Sequence, residues 1–228
     1  MGAPLDCRWL GRVGYRPTWQ RQEAVRAAVL DGSGAEALFL LEHQPVVTLG
    51  RAADPANLLV DEAALSARGI ELCRTSRGGD VTFHGPGQLV AYPVVRVGGV
   101  RAHVEAMARA VIEVVGALGI DASFHRERVG VWVGDSKLCA FGIHVHRRVA
   151  IHGLALNVDT PADGFSLIVP CGLRGLGVTS IAEQLGGAPP VFAVARLLAA
   201  ALCRQLGRSP AGDLADGAAT DRPTGALP

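Results

Sequence analysis

Apolar residues recur with a helical period in several stretches of the chain. From Val100 to Leu118 they stand three and four positions apart, which places them on one face of a helix. A second helix is predicted from about Trp19 to Leu30, directly after Pro17-Thr18. A third is predicted from Pro190 to about Leu206, because proline is tolerated in the first helical turn. A short helix capped by Asp61 should end near Gly69.

Short apolar runs between these helices predict β-strands. They cover residues 37–41, 46–49, 70–75, 89–95, 129–133, 138–145 and 149–158. Two of them flank the turn residues Gly134-Asp135, which predicts a hairpin. Because hairpins and short connections interrupt the alternation with helices, we expect an α+β fold with a mixed β-sheet flanked by helices. Residues 1–207 should form a single domain, and residues 208–228, poor in large apolar groups, a disordered C-terminal tail.

Composition excludes several classes of function. The 228 residues carry a formal net charge of +1, so no overall field favours nucleic acid or an anionic membrane as partner. No apolar stretch is as long as a membrane span. The five cysteines are odd in number and lack a CxxC pair, which favours a reducing compartment over a disulfide framework or a zinc site. We expect a cytoplasmic monomer that needs no metal.

Residues 77–88 concentrate turn-forming and chemically active residues in one segment. Four glycines, a proline, Arg77, His84 and Gln88 lie within it. Glycines let a ligand approach the backbone and expose its N–H donors. The spacing is neither that of a dinucleotide-binding fingerprint nor that of a phosphate-binding loop. We therefore expect a ligand-binding loop on which His84 is held near a carbonyl group, and the alternative is an ordinary turn between strands.

One lysine and one cysteine stand apart from the rest of their kind. Lys137 is the single lysine among 22 basic residues, and a lysine can exchange its proton where arginine cannot. Cys171 lies in a predicted turn, whereas the other four cysteines lie in apolar runs or near the N-terminus. An ammonium beside a thiol stabilises the thiolate, and the neutral amine can act as a base. Spacing alone does not reveal whether Lys137 and Cys171 meet.

Three histidines near the predicted hairpin offer a second kind of site. His144 and His146 stand two positions apart on a strand, hence on one face, and His152 follows nearby. A metal site is conceivable, but a solvated face flanked by Arg147-Arg148 is the interpretation we favour.

Residues 77–88, Lys137 and Pro170-Cys171-Gly172 together closely resemble the octanoyl-[acyl-carrier-protein]:protein octanoyltransferases of lipoate assembly. Residues 41–51 and 152–158 match the family as well, and the resemblance covers roughly residues 12–205. It implies the fold of the catalytic domains of biotin and lipoate protein ligases. It also implies that residues 1–207 are one catalytic domain and that no cofactor takes part.

The resemblance implies roles for individual residues. Cys171 would attack the octanoyl or lipoyl thioester of acyl carrier protein, and Lys137 would lower the pKa of that thiol and shuttle protons. The acyl group would then pass to the ε-amine of a lysine on a lipoyl domain of a 2-oxoacid dehydrogenase or the glycine cleavage H protein. The acyl site would be lined by Arg77, Gly78, Gly79, Asp80, Val81, Thr82, Phe83, His84, Ala140, Phe141, Gly142, Gly153, Leu154 and Ala155.

Three other functions are compatible with parts of the pattern. An ATP-dependent lipoate or biotin ligase would activate the free acid as an adenylate and would not need Cys171. A thioesterase would use the same cysteine but release free octanoate. A non-catalytic module would grip acylated carrier protein without reacting.

Overall fold

The computed structural model describes residues 2–169, 176–212 and 214. The strands in this part of the chain are β1 (Ala3–Val13), β2 (Ala37–His43), β3 (Val46–Leu49), β4 (Glu71–Arg74), β5 (Val81–His84), β6 (Gln88–Arg96), β7 (Ser123–His125), β8 (Gly130–Val133), β9 (Ser136–His146), β10 (Val149–Asn157), β11 (Gly177–Val178) and β12 (Arg208–Ala211). The α-helices are α1 (Tyr15–Asp31), α2 (Glu62–Ser66), α3 (Val100–Ala117), α4 (Ile181–Leu185) and α5 (Val191–Gln205). Pro55–Asn57 and Ala162–Leu167 form 3₁₀ turns. No helix in these ranges is long and apolar enough to cross a membrane.

The strands form one large and one small sheet. The large sheet has the order β12-β1-β2-β6-β10-β9-β8-β7, and β11 pairs in parallel with the first residues of β9. Strands β12, β1 and β2 run parallel to one another, whereas the neighbours from β2 to β7 are antiparallel. The small sheet has the order β4-β3-β5. The mixed α+β sheet predicted from the sequence is therefore confirmed.

Helices cover both faces of the large sheet, which explains why its central strands are apolar without alternation. In β2, Leu38 and Leu40 join the core under α3 and α5, whereas Phe39 and Leu41 join the core under α1. Successive side chains of a strand point to opposite faces, so a strand buried on both sides is apolar at every position. The run predicted at residues 37–41 has this pattern.

The beginning of the expected tail is ordered, which corrects the prediction for residues 208–228. Arg208–Ala211 form the edge strand β12, which pairs in parallel with residues 3–6 of β1. The Nε atom of Arg208 lies 2.6 Å from an oxygen of Glu36, so an ion pair fastens this strand to the start of β2. Neither β1 nor β12 shows a strong strand pattern, and both depend on pairing with distant segments. Residues beyond 214 lie outside the described part of the chain.

Two further boundaries differ from the sequence prediction. Residues 81–84, expected to belong to a loop, form β5, because they pair antiparallel with β3 over its whole length. Helix α1 begins at Tyr15, four residues before the predicted Trp19, and Pro17 lies inside its first turn. Proline at that position costs no helical hydrogen bond. The short elements β7, β11 and α4 were not predicted either.

Candidate active site

A cavity of about 460 Å³ lies between the middle of β9 and β10 and the segment that contains β5. Helix α1 and β6 close one end of it with Tyr15 and Tyr92. Its complete lining is Tyr15, Arg77, Gly79, Asp80, Val81, Thr82, His84, Tyr92, Ala140, Phe141, Gly142, His152, Gly153, Leu154 and Ala155. The three sequence segments expected to line the acyl site therefore meet in space, and Gly78 and Phe83 are the expected residues that do not line this cavity.

A second, smaller cavity of about 300 Å³ adjoins the first and contains Lys137. Thr82, Ala140 and Ala155 line both cavities, and the two alanines are cross-strand partners. Small side chains therefore lie where the two cavities meet, and we call the two cavities together the slot, which extends from Lys137 to the aromatic rings. From Lys137 to Gly142 the rise of β9 is roughly 16 Å. We call the two extremes the lysine end (Lys137 with Trp132) and the ring end (Tyr15, Tyr92, His43, His84 and His152).

At the lysine end, Lys137 is buried with 6% of its surface exposed. Its Nζ atom lies 4.9 Å from the ring centre of Trp132, within the range of a cation–π contact. Its backbone carbonyl accepts a hydrogen bond from the N–H of Thr179 at 3.0 Å. A Cβ atom at Gly130 would lie 3.1 Å from Cε of Lys137, so glycine leaves the space that the lysine stem fills. The predicted base therefore has a defined position.

A buried chain of side-chain hydrogen bonds connects His84 to the strand beside Lys137. Nδ1 of His84 lies 2.7 Å from Oε1 of Gln88, whose Nε2 donates to Oδ1 of Asn157 at 2.9 Å. Nδ2 of Asn157 donates to the carbonyl of Thr179 at 3.0 Å. Because the Gln88 oxygen accepts, His84 carries its proton on Nδ1. His84 thus lies at the end of β5 in this chain of hydrogen bonds, and not on the loop expected from the sequence.

The ring end is polar in composition but uncharged at neutral pH. Nδ1 of His43 donates to the carbonyl of Val13, so its Nε2 accepts a hydrogen bond from the Tyr92 hydroxyl at 2.8 Å. Burial lowers the pKa of His43 to about 4 and that of His152 to about 3. It also raises the pKa of Tyr15 to about 12. Neutral rings provide a surface that a hydrocarbon chain can contact without displacing an ion.

Arg77 brings a positive charge to the cavity wall. Its Nε and Nη2 atoms donate to Oγ1 of Thr48 at 3.0 and 2.7 Å, and Nη1 donates to the carbonyl of Gly78 at 3.1 Å. Asp80 holds the same loop from the other side, since its carboxylate accepts from the backbone N–H of Asp54 and from Nδ2 of Asn57. These contacts fix the shape of the glycine-rich segment.

The two glycines of the wall permit close approach between protein segments. Gly142 and Gly153 face each other across β9 and β10. A Cβ atom at Gly142 would lie 3.0 Å from Cδ of Arg77, and one at Gly153 would lie 2.1 Å from the carbonyl oxygen of Ala91. No other residue fits at position 153 without moving the backbone of β6. Close packing therefore accounts for these glycines independently of any ligand.

The two expected residues that lie away from the cavity have structural contacts. The N–H of Gly78 donates to the carbonyl of Ile143 at 2.9 Å and ties the glycine-rich segment to β9. The ring of Phe83 packs edge-on against Phe165 at 5.7 Å, in the small core beside β3. Side chains alternate along β5, so Thr82 and His84 face the slot while Phe83 faces away from it.

Of the five cysteines, Cys171 lies outside the described residues, so its proposed role remains a prediction. Cys7, Cys73, Cys139 and Cys203 are all buried, as expected for the last three from their apolar surroundings. Burial raises the pKa of the Cys139 thiol, which makes this neighbour of Lys137 a poor nucleophile.

The histidines near the hairpin do not form a metal site. His152 is 1% exposed and belongs to the ring end, which corrects its expected place near a solvated face. His144 lies on β9 with Nδ1 3.3 Å from Nη1 of Arg26. Within residues 2–169 and 176–212 no group of three His, Cys, Asp or Glu side chains is arranged to hold a metal ion.

Sequence reasoning did not identify Tyr15, Tyr92 or Trp132 as site residues. Each lies in an ordinary helix or strand, with no motif around it. A search for aromatic residues at the ends of elements next to the glycine-rich segment would have included Tyr15, but no local signal marks Trp132.

This chain is similar to known proteins in both sequence and fold. Residues 14–203 match the lipoyl protein ligase A/B catalytic domain. The octanoyltransferase of Chloroflexus aggregans is 42% identical over 85% of this chain and 91% of its own length. The mitochondrial octanoyl-[acyl-carrier-protein]:protein N-octanoyltransferase of Danio rerio is 44% identical over 84% of this chain and 88% of its own. The structure of a lipoate-protein ligase A bound with ATP superimposes with a TM-score of 0.73 at 18% identity, covering 95% of this chain and 90% of that one.

Proposed function

Since this chain belongs to the octanoyltransferases of the lipoyl protein ligase A/B catalytic-domain family, we propose that it carries an octanoyl or lipoyl group on Cys171 between two protein partners. The donor is acyl carrier protein, and the acceptor is a lysine of a lipoyl domain, in 2-oxoacid dehydrogenases or the glycine cleavage H protein. The observation that carries this proposal is the narrow slot that begins at the single lysine of the chain.

The slot suits a linear acyl chain for two reasons. Its junction is lined by Ala140 and Ala155, whose small side chains leave room for a chain of methylene groups. Its far end is lined by neutral rings. At ~0.8 kcal/mol per buried CH₂, six methylene groups contribute about 5 kcal/mol to binding. One methylene group more or less changes this binding free energy only slightly. Acyl chains that are one or two carbons longer or shorter than octanoyl should therefore also be accepted.

The first half of the reaction transfers the acyl group to the enzyme. Lys137, as the neutral amine, takes the proton of the Cys171 thiol, and the resulting thiolate attacks the thioester carbonyl of the donor. A new C–S bond to Cys171 forms, and the C–S bond to the carrier breaks. The ammonium of Lys137 then gives its proton to the departing carrier thiolate, so charge and protons balance.

The second half releases the product and restores the enzyme. The ε-amine of the acceptor lysine attacks the carbonyl of the acyl-enzyme, a C–N bond forms, and the C–S bond to Cys171 breaks. Lys137 accepts the proton that the attacking nitrogen loses and returns it to the Cys171 sulfur. A thioester is exchanged for an amide, a downhill step, so neither ATP nor another cofactor is required.

The ATP-dependent ligase remains the nearest alternative because it shares the fold. The likeness to a lipoate-protein ligase A bound with ATP is at 18% identity and therefore bears on the fold alone. The octanoyltransferase relatives, at 42–44% identity over most of the chain, favour transfer from a thioester. A thioesterase would need water at the carbonyl, and the buried position of Lys137 disfavours this.

Intact-protein mass spectrometry tests the proposal. The enzyme is mixed with octanoyl-acyl carrier protein without acceptor, together with the variants Cys171→Ala and Cys139→Ser. We expect one octanoyl adduct in the wild type and in Cys139→Ser, removable by hydroxylamine, and none in Cys171→Ala. Addition of a lipoyl domain should then discharge the adduct to an amide. An enzyme that gains no adduct but activates free octanoate with ATP would contradict the proposal and favour the ligase.

A further inference from the structure

Trp132 has no part in the proposed reaction, yet it is the aromatic ring against which Lys137 lies. The indole is 1% exposed and belongs to β8, paired with Lys137 across the strands. Its Nε1 donates to the carbonyl of Arg128 at 2.9 Å, which fixes the orientation of the ring. Nζ of Lys137 lies 4.9 Å from the ring centre. The orientation of the indole therefore does not depend on Lys137, and the amine of Lys137 lies over the face of the ring.

The surroundings of Trp132 indicate a site for cations rather than ordinary core packing. The guanidinium of Arg128 also lies over this ring, with Cζ 4.6 Å from its centre. Asp135 accepts from Nη1 of Arg128 at 2.9 Å and holds that guanidinium in place. At position 130 a side chain would collide with the indole nitrogen at 2.8 Å, so Gly130 keeps the space open. One buried indole thus contacts an arginine and a lysine side chain.

We propose that Trp132 is a positioning residue that fixes the ammonium of Lys137 at the end of the slot through a cation–π contact. The inference rests on the proposed function, because it gives Lys137 a place from which to exchange protons with Cys171. The face of an indole attracts an ammonium more strongly than that of any other aromatic side chain. Proton transfer requires a short, aligned approach, and contact with the ring restricts the positions that the end of a flexible four-carbon stem can take.

The attraction also depends on the state of the amine. An ammonium is drawn to the negative face of the ring, whereas a neutral amine is not. After giving its proton to a leaving thiolate, Lys137 is less strongly held, and it returns to the ring when it takes up the next proton. Arg128 stays charged throughout and keeps its own contact with the same indole. The ring therefore remains in position over the whole cycle.

Aromatic and aliphatic replacements separate positioning from packing. The variants are Trp132→Phe and Trp132→Leu, with Trp9→Phe and Trp9→Leu as matched controls, because Trp9 packs on Phe192 away from the slot. Single-turnover formation of the acyl-enzyme gives the rate, and thermal unfolding reports the fold. We expect Trp132→Leu to lose about 3- to 30-fold in rate with an unchanged KM for octanoyl-acyl carrier protein. Trp132→Phe should recover most of that loss, and the Trp9 variants should keep the wild-type rate.

A series of fluorinated tryptophans at position 132 provides a second measurement without a change of shape. Fluorine withdraws charge from the ring face, so the rate should fall step by step as fluorines are added, at constant KM and constant thermal stability. A flat series, or a Trp132→Leu variant with the wild-type rate, would overturn the inference while the acyl-enzyme still forms. Failure of the proposed function is distinguishable from this, because the wild-type enzyme itself would then gain no octanoyl adduct.

Discussion

The two ends of the slot place their buried polar side chains in different surroundings. At the ring end, buried histidines and tyrosines stay uncharged, since burial lowers the pKa of His43 and His152 and raises that of Tyr15. At the lysine end, an amine equally deep in the protein lies over the face of an indole. Both ends are buried, so burial alone does not distinguish them. They differ in the groups that the surrounding fold places against the buried polar atoms.

This difference corresponds to the two parts of an acyl thioester. Neutral rings held by hydrogen bonds, such as that between His43 and Tyr92, offer the hydrocarbon tail an uncharged surface beside the guanidinium of Arg77. The reacting carbonyl needs a group that takes and returns a proton, and Lys137 is the residue that we propose for this step. Ala140 and Ala155 lie between the two ends and separate the two environments.

The largest expected effect is at the lysine end. Lys137→Arg keeps a positive charge over Trp132 but removes the exchangeable proton, because arginine does not deprotonate in proteins. We expect kcat for octanoyl transfer to fall by at least about a hundredfold while KM stays within a few-fold. Steady-state kinetics with octanoyl-acyl carrier protein and a lipoyl domain measure both.

Lys137→Met provides the control for charge in that experiment. It should be at least as inactive, and thermal unfolding of both variants should show an intact fold. If Lys137→Arg retains nearly full kcat, proton exchange by this residue is not required. The lysine end would then have no role in proton transfer.

The ring end should make stability depend on pH. Native His43 has a pKa of about 4, against an ordinary pKa of 6.5 in the unfolded chain. Between these values the unfolded state binds a proton that the native state does not, so the free energy of unfolding falls as the pH drops from 6.5 to 4. The full contribution is present above pH 6.5, and about 3 kcal/mol is lost by pH 4.

Urea unfolding at pH 7, 6 and 5 measures this slope. His43→Phe should lower stability at pH 7, because the Tyr92 hydroxyl loses its acceptor, and should reduce the slope by about 1.4 kcal/mol per pH unit. Burial also lowers the pKa values of His84, His103, His144 and His152, so these residues contribute to the remaining slope. A free energy of unfolding that stays constant from pH 6.5 to 5 would show that water reaches the histidines of the ring end.

The junction should give the smallest effect, and it tests whether the two ends belong to one slot. Ala140→Leu adds a branched side chain where both cavities meet. We expect octanoyl transfer to fall about tenfold more than butyryl transfer, because a short chain does not need to pass the junction. The exposed Ala117→Leu in α3 is the matched control. An equal loss for all chain lengths would indicate that the acyl chain does not pass between Ala140 and Ala155.

Much of the fold was predictable because it depends on local patterns. Helix α3 was predicted to within one residue from its apolar face, and the β8–β9 hairpin from Gly134-Asp135 between two apolar runs. β1 and β12 were missed because their pairing brings residues 3–6 against residues 208–211. β5 was missed because its neighbouring glycines indicated a loop, although its pairing with β3 made it a strand.

The candidate site likewise contains residues that local sequence patterns indicate and residues that only distant packing brings to it. Composition and residue pattern singled out the glycine-rich segment and Lys137, the resemblance gave them roles, and Cys171 remains a prediction because it lies outside the described residues. The rings were not predictable, because Tyr15 and Tyr92 are brought to His84 by the packing of α1 and β6. His152 was grouped with the hairpin histidines because it follows Arg147-Arg148 closely in the sequence, whereas α1 covers it and Gln22 accepts from its N–H.

By itself the sequence determined the periodicities that make α3, α5 and the central strands, and the residue types available for acyl transfer. These follow from local chemistry: side-chain spacing, turn-formers, and a single lysine among arginines. Only the tertiary structure decided which residues surround that lysine and which rings close the slot. Charge state, access and proton transfer depend on neighbours within a few ångströms, and those neighbours come from segments far apart in the chain, such as Trp132 beside Lys137 and Tyr15 beside His84.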